Sequence, residues 1–300
     1  MNAVGLVRYF RGGTENLFGQ FFQNGSITDG NFIDMIDFII DSEPRAPISI
    51  FSNETGTQLL AGPQILAIGD YDIYPTPGST IQLTNDECIR RVPSRITTRA
   101  ATPRELAFRN GVRNRDGMCV ISGVLNRSLS IPGMKTSWRG WQSAHLFPLA
   151  RVSLWDDLHL DRFITDQTFG GHRAGINSIQ NGLCLRNDIH DQFDDFEISI
   201  NPEDGYKIVD FGANNNNLDG RILDPVCRNP QDPNRVSDDL LRWHWQQTLL
   251  RRMKGSASPV WEYDFPEGSD MIGEILRGPL PGERMEAELF ARLHHMIIDD

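Results

Sequence analysis

The stretch Asn181-Gly-Leu-Cys-Leu-Arg-Asn-Asp-Ile-His190-Asp-Gln-Phe-Asp194 (NGLCLRNDIHDQFD) decides how the middle of this 300-residue chain is read. Its first half is a short apolar run, Leu183 to Leu185, opened by Asn-Gly, which predicts a strand. Its second half spaces His190 and Asp194 four residues apart. With residues 187–195 helical, the two side chains lie on one face about one turn apart. An imidazole and a carboxylate so placed can share a divalent ion. The carboxylate favours a hard metal, Mg²⁺ or Mn²⁺, with Zn²⁺ as the alternative.

Upstream, Ala144-His-Leu-Phe-Pro148 is an apolar segment ending in His and then Pro. It supplies a first strand, so the order strand, strand, helix emerges, with His145 on the first element. Before it, TPRELAFRNGVRNRDG opens with Thr102 and, three residues on, Glu105, a capping arrangement for a helix with a basic outer face. GMCVISG reads as a strand and turn. Residues 1–85 read as mostly β, with NFIDMIDFII (31–40) as a short helix and strand signals in 48–53, 64–69 and 70–75. Beyond the stretch, 201–236 turns polar, rich in Asn, Asp, Pro and Gly. SDDLLRWHWQQTLLRRMKG (237–255) is then a clean helix, capped by Ser237 and dipole-matched by Asp238, Asp239, Arg251 and Arg252. Its Trp243, His244 and Trp245 read as packing. A second terminal helix is expected over 282–298.

Four segments, Cys119-Val-Ile-Ser-Gly123, Ala144-His-Leu-Phe-Pro148, Asn181-Gly-Leu-Cys-Leu185 and His190-Asp-Gln-Phe-Asp194, together resemble the HNH endonucleases. The form is the one carried by a group of fungal HNH-domain proteins, and the likeness extends over roughly residues 90–295. The resemblance implies a ββα-metal core in an α+β protein and metal-dependent hydrolysis of nucleic-acid phosphodiesters. It implies catalytic roles for His145, Asn181 and His190: His145 is the general base that activates water, and Asn181 braces the loop after the first strand. His190 and Asp194 hold the metal. Two departures stand out. Ala144 occupies a position where many relatives carry a third ligand, and 36 positions separate His145 from Asn181. That insertion contains Trp155, Asp156, Asp157, His159, Asp161 and His172, any of which could remodel the centre.

The net charge of −11 runs against nucleic-acid binding, which draws on phosphate neutralisation. Charge is unevenly placed, however. Nine arginines between Arg90 and Arg127 face only Glu105 and Asp116, a local balance of +7. Arg95, Arg99, Arg104, Arg109, Arg113 and Arg115 are the candidate nucleic-acid contacts, although such a stripe also suits an internal electrostatic seam. A second function class therefore stays open: a repurposed fold acting on a small molecule in fungal biosynthesis, with His145 as acid or base. Trp138 and Trp141 read as cover for the core or a stacking surface for a planar ligand. Four widely spaced cysteines suggest reduced thiols rather than a zinc knuckle. Without an apolar run of about 18 residues or a signal-like start, an intracellular protein with no membrane span is expected. The expected organisation is an N-terminal β-rich region (1–100), an HNH-like segment (101–230) and C-terminal helices packed on the core (231–300).

Overall fold

A computed structural model of the chain describes residues 4–89, 102–166, 172–212 and 217–254, without the side chains of 172–174. All of them belong to Met1–Gly255, one of two compact units in the chain. The fold is α+β. Its N-terminal part runs β1 (Gly5–Arg11), β2 (Leu17–Gln23), α1 (Asp29–Ile39), β3 (Ile40–Glu43), β4 (Ile48–Ser52), β5 (Gly69–Pro75) and β6 (Thr80–Leu83). Period-two burial of Val7 and Tyr9, with Leu6 and Arg8 outward, seats β1 at the middle of a sheet ordered β2-β1-β5-β4. β1 pairs antiparallel with β2 but parallel with β5. Phe32, Met35, Ile36 and Ile39 recur at helical spacing and bury α1 in the same core. The strand expected over 64–69 does not form: Ile65 makes only an isolated bridge to Thr28, and Gly69 already begins β5. Leu66 there is tied by its amide to the Ile27 carbonyl, and its own carbonyl accepts from Gln23 Nε2, so the segment plugs the core as a loop.

The second half comprises α2 (Pro103–Asp116), β7 (Trp141–His145), α3 (Val152–Asp157), β8 (Gly182–Arg186), α4 (Asn187–Asp194), β9 (Ile198–Asn201), β10 (Lys207–Asp210) and α5 (Asp238–Arg252). The capping box of α2 is present: the Thr102 hydroxyl accepts from the Glu105 amide and the Glu105 carboxylate accepts from the Thr102 amide. Its buried stripe is Phe108, Val112 and Asp116, while Leu106 is 43 % exposed. GMCVISG is a turn rather than a strand. Gly123 closes it at φ +74°, and Met118 makes an isolated bridge to Leu125. The polar 201–236 excursion contains a strand, β10, paired antiparallel with β9. The helix expected over 282–298 lies outside the described residues.

α5 joins the two cores. Leu240, Leu241 and Trp243 pack with the cluster around β8 and α4, and Trp245, Leu249 and Met253 pack with the N-terminal cluster. A helix buried on several sides is apolar around most of its circumference, which explains its three central aromatic residues. No described helix is long and apolar enough to cross a membrane.

Candidate active site

β7 and β8 pair antiparallel from Trp141–Arg186 to His145–Gly182, and α4 begins at the next residue. Strand alternation sets the two faces of β7. Ala144, 1 % exposed, enters the core opposite Leu183, and His145 takes the other, half-buried face. A ligand side chain at position 144 would therefore point into the apolar cluster of Leu146, Leu183 and Ile189.

His145 is held by stacking. Its imidazole lies 3.9 Å from the Phe108 ring of α2 at an interplanar angle of 14°, and Nε2 stands 3.4 Å from Asn177 Oδ1. The register partner Gly182 is extended at φ −143°, so its small size, and not its backbone freedom, is what the site uses. A Cβ there would stand 2.5 Å from Phe108 Cε2 and 2.7 Å from Val112 Cγ2. The neighbouring Asn181 is fully buried. Its Oδ1 accepts from the Phe147 amide (2.9 Å), and its Nδ2 donates to the carbonyls of Phe147 (3.2 Å) and Ile176 (2.9 Å). Its own carbonyl accepts from the Leu146 amide. One asparagine thereby clamps the segment that follows His145.

On α4, His190 Nε2 lies 3.3 Å from Asp194 Oδ2, with the two side chains 18 % and 26 % exposed. Two donors bound to one ion at about 2.1 Å each stand roughly 3.0–3.4 Å apart in octahedral or tetrahedral geometry, so this pair has the spacing and chemistry of a shared ligand set. Among the described residues no group of three or more His, Cys, Asp or Glu converges. Insertion residue Trp155 is fully buried beside Phe147, with ring centroids 5.4 Å apart, and so belongs to the core.

α5 supports both halves of the site. Trp243 packs on Phe147 at 4.6 Å, and His244 stacks on Phe193 of α4 at 3.7 Å and 4°. His244 is 1 % exposed and hydrogen-bonded at both nitrogens, to the Phe193 carbonyl (3.1 Å) and Ser199 Oγ (2.7 Å). With the proton on Nε2, the ring donates to the carbonyl and accepts from the serine. Sequence reasoning placed His244 in the core but missed this tie to the helix that carries His190 and Asp194.

The candidate arginines separate into groups. Arg104 and Arg109 are exposed on α2, and Arg113 is half-buried there. Arg95 and Arg99 lie outside the described residues. Arg115 must be withdrawn from the nucleic-acid set, because its side chain is 3 % exposed and fully engaged. It pairs with Asp116 at 2.6 Å and donates to the carbonyls of Ile179, Gly182 and Asn234. Asp116 in turn accepts from the Cys184 amide of β8 at 2.7 Å. Burial lifts the Asp116 carboxyl above its ordinary range, against the pull of Arg115 and of that amide. The pair welds the end of α2 to β8, and nothing in its spacing distinguishes it from surface charge. Cys119, Cys184 and Cys227 are buried free thiols, and burial pushes the Cys184 thiol up to about 12.

Residues 119–201 match the family model described as HNH endonuclease. The matched segment runs from the Cys119 turn through β7, β8 and α4 to the end of β9, and over that segment the chain is similar to the HNH endonucleases. HNH endonuclease domains generally use a divalent metal. No curated protein and no solved structure matches the chain.

Proposed function

We propose that this chain is a metal-dependent endonuclease of the HNH type, with β7, β8 and α4 as its ββα-metal core. The observation that carries the reading is the juxtaposition within one matched segment: His145 at the end of β7, and the His190–Asp194 pair on the helix directly after its partner strand. In this reading the N-terminal strands and α5 scaffold the segment that carries β7, β8 and α4, in an intracellular protein of the fungal HNH kind.

His145 is the general base. Its Nε2 stands 3.4 Å from Asn177 Oδ1, and the imidazole would take a proton from water attacking a phosphodiester. The Phe108 stack limits rotation of the ring, and the Asn181 clamp fixes the backbone that follows it. His190 and Asp194 would hold Mg²⁺ or Mn²⁺. When bound, that cation supplies positive charge for the phosphoryl and leaving oxygens. Arg104, Arg109 and Arg113 offer the chain's described positive face to the nucleic-acid backbone, so binding should weaken steeply with salt.

The test is incubation of supercoiled plasmid and single-stranded oligonucleotides with the protein and Mg²⁺ or Mn²⁺. Cutting that a chelator abolishes supports the proposal. A folded protein that cuts neither substrate in either metal overturns it, and the small-molecule reading then takes its place.

A further inference from the structure

We infer that Trp138, Trp141 and Arg113 form a subsite beside β7 that binds an unpaired nucleobase, with the adjacent phosphate held by Arg109 and Arg113, so that the substrate is taken as a single strand. The inference rests on the endonuclease reading for its ligand class, but its evidence is separate.

Trp138 ends an exposed segment, 131–137, and remains half-buried itself. Its indole stands perpendicular to that of Trp141, with ring centroids 6.3 Å apart at 89°. The Arg113 guanidinium lies over it, 4.9 Å from the ring centroid. Two tryptophans braced in this way form a rigid aromatic surface, the type of platform on which unpaired bases stack. Bases inside a duplex have their faces covered already, so the surface favours single strands.

The electrostatics point the same way. Arg113 has no carboxylate partner among the described residues, its Nε is buried without an acceptor, and its contact with the Trp141 carbonyl is long, at 3.5 Å. Burial, and then the like charge of Arg109, lower its pKa, so an anion would stabilise it. Arg115, two residues on, is by contrast saturated with protein acceptors. Between Thr102 and Trp141 there are six basic residues besides Arg115, namely Arg104, Arg109, Arg113, Arg127, Lys135 and Arg139. Apart from Asp116, which Arg115 neutralises, the one acidic residue in that interval is Glu105, and it is spent on the helix cap. A chain of net charge −11 concentrates unpaired cations here. Trp141 also begins the strand that ends at His145, four residues or about 13 Å away, so a bound strand can reach from platform to base.

The experiment is fluorescence anisotropy on the full chain in chelator, using a labelled oligonucleotide of about 15 nucleotides as single strand and as duplex. The proteins compared are the wild type, Trp138→Ala, Trp138→Phe, Arg113→Gln and His145→Ala, each checked for a native melting temperature. The single strand should bind more tightly than the duplex. Trp138→Ala should weaken single-strand binding roughly 5- to 150-fold and leave the duplex unchanged, while Trp138→Phe keeps most of the affinity. Arg113→Gln should lower the salt slope by about one, and His145→Ala should bind like the wild type. Wild-type affinity in Trp138→Ala, equal losses on both substrates, or no binding of either would overturn the subsite. The two proposals fail separately. Metal-dependent cutting with no role for Trp138 leaves the nuclease standing without the subsite, and Trp138-dependent binding without cutting in any metal does the reverse.

Discussion

Gly182→Ala asks whether packing alone holds His145 in place. At φ −143° alanine fits the backbone of β8 without strain, so only space is at issue. The new methyl carbon would stand 2.5 Å from Phe108 Cε2, 2.7 Å from Cζ and 2.7 Å from Val112 Cγ2. Carbon atoms in ordinary contact are about 3.5–4.0 Å apart, so the phenyl ring must retreat by about 1 Å. Phe108 is 3 % exposed and Val112 is fully buried, which leaves the ring little room. Overpacking of this kind costs about 1–3 kcal/mol, a fall in melting temperature of roughly 2–10 °C for a unit of this size. The displaced ring is the one stacked on the imidazole of His145, and a misplacement of about 1 Å costs on the order of a hundredfold in rate. The assay is single-turnover cleavage at saturating Mn²⁺ beside a thermal melt. The expected result is a large loss of rate with nucleic-acid affinity little changed. In the Gly182→Ala background, Phe108→Leu should recover stability more than rate, since it relieves the clash without restoring the stack. Gly182→Ala with wild-type melting temperature and rate would refute the reasoning.

His244→Phe keeps the stack on Phe193, leaves the Phe193 carbonyl with its backbone donor Phe196, and removes the imidazole partner of buried Ser199 Oγ, at a cost of about 1–3 kcal/mol. It should also weaken Mn²⁺ binding through α4, and calorimetry showing wild-type affinity would break that link. Asp210 is 2 % exposed, and burial first, with Asp219 and Glu197 adding to it, lifts its pKa to about 6. Between its unfolded value of 3.8 and 6 the folded state keeps a proton that the unfolded state has lost, so this group's contribution to stability rises as pH falls through 6. The charge costs at most about 3 kcal/mol at pH above 7, and Asp210→Asn should recover much of that at pH 7.5 and nothing near pH 4. Parallel melting curves of the two proteins against pH check the sign.

Features written in local sequence were legible. The Thr102–Glu105 cap, the Ser237 cap, the apolar run 183–185 and the four-residue step from His190 to Asp194 each lie within one element, and each element formed. Features that depend on distant partners were not. The basic outer face of α2 formed at Arg104 and Arg109, but the burial of Arg115 and Asp116, through their pairing and the Cys184 amide 68 residues on, was not legible. Nothing in local sequence showed that Phe108 packs against Gly182. The apolar run at 64–69 carries a strand's composition, but its amides and carbonyls serve residues 23–29 and not a sheet ladder. For the site this means that the candidate side chains His145, His190 and Asp194 were nominated by the sequence, while their neighbours Phe108 and His244 became visible only in three dimensions.

The most direct measurement is the cleavage rate as a function of Mn²⁺ concentration for the wild type, His145→Ala and His190→Ala on one single-stranded substrate. With His145 as base and His190 as metal ligand, His145→Ala should lose about a hundredfold or more in rate at saturating Mn²⁺ without shifting the midpoint. His190→Ala should move the midpoint to higher Mn²⁺. Wild-type cutting that persists in chelator, or in His145→Ala at the wild-type rate, would contradict the assignment of this site.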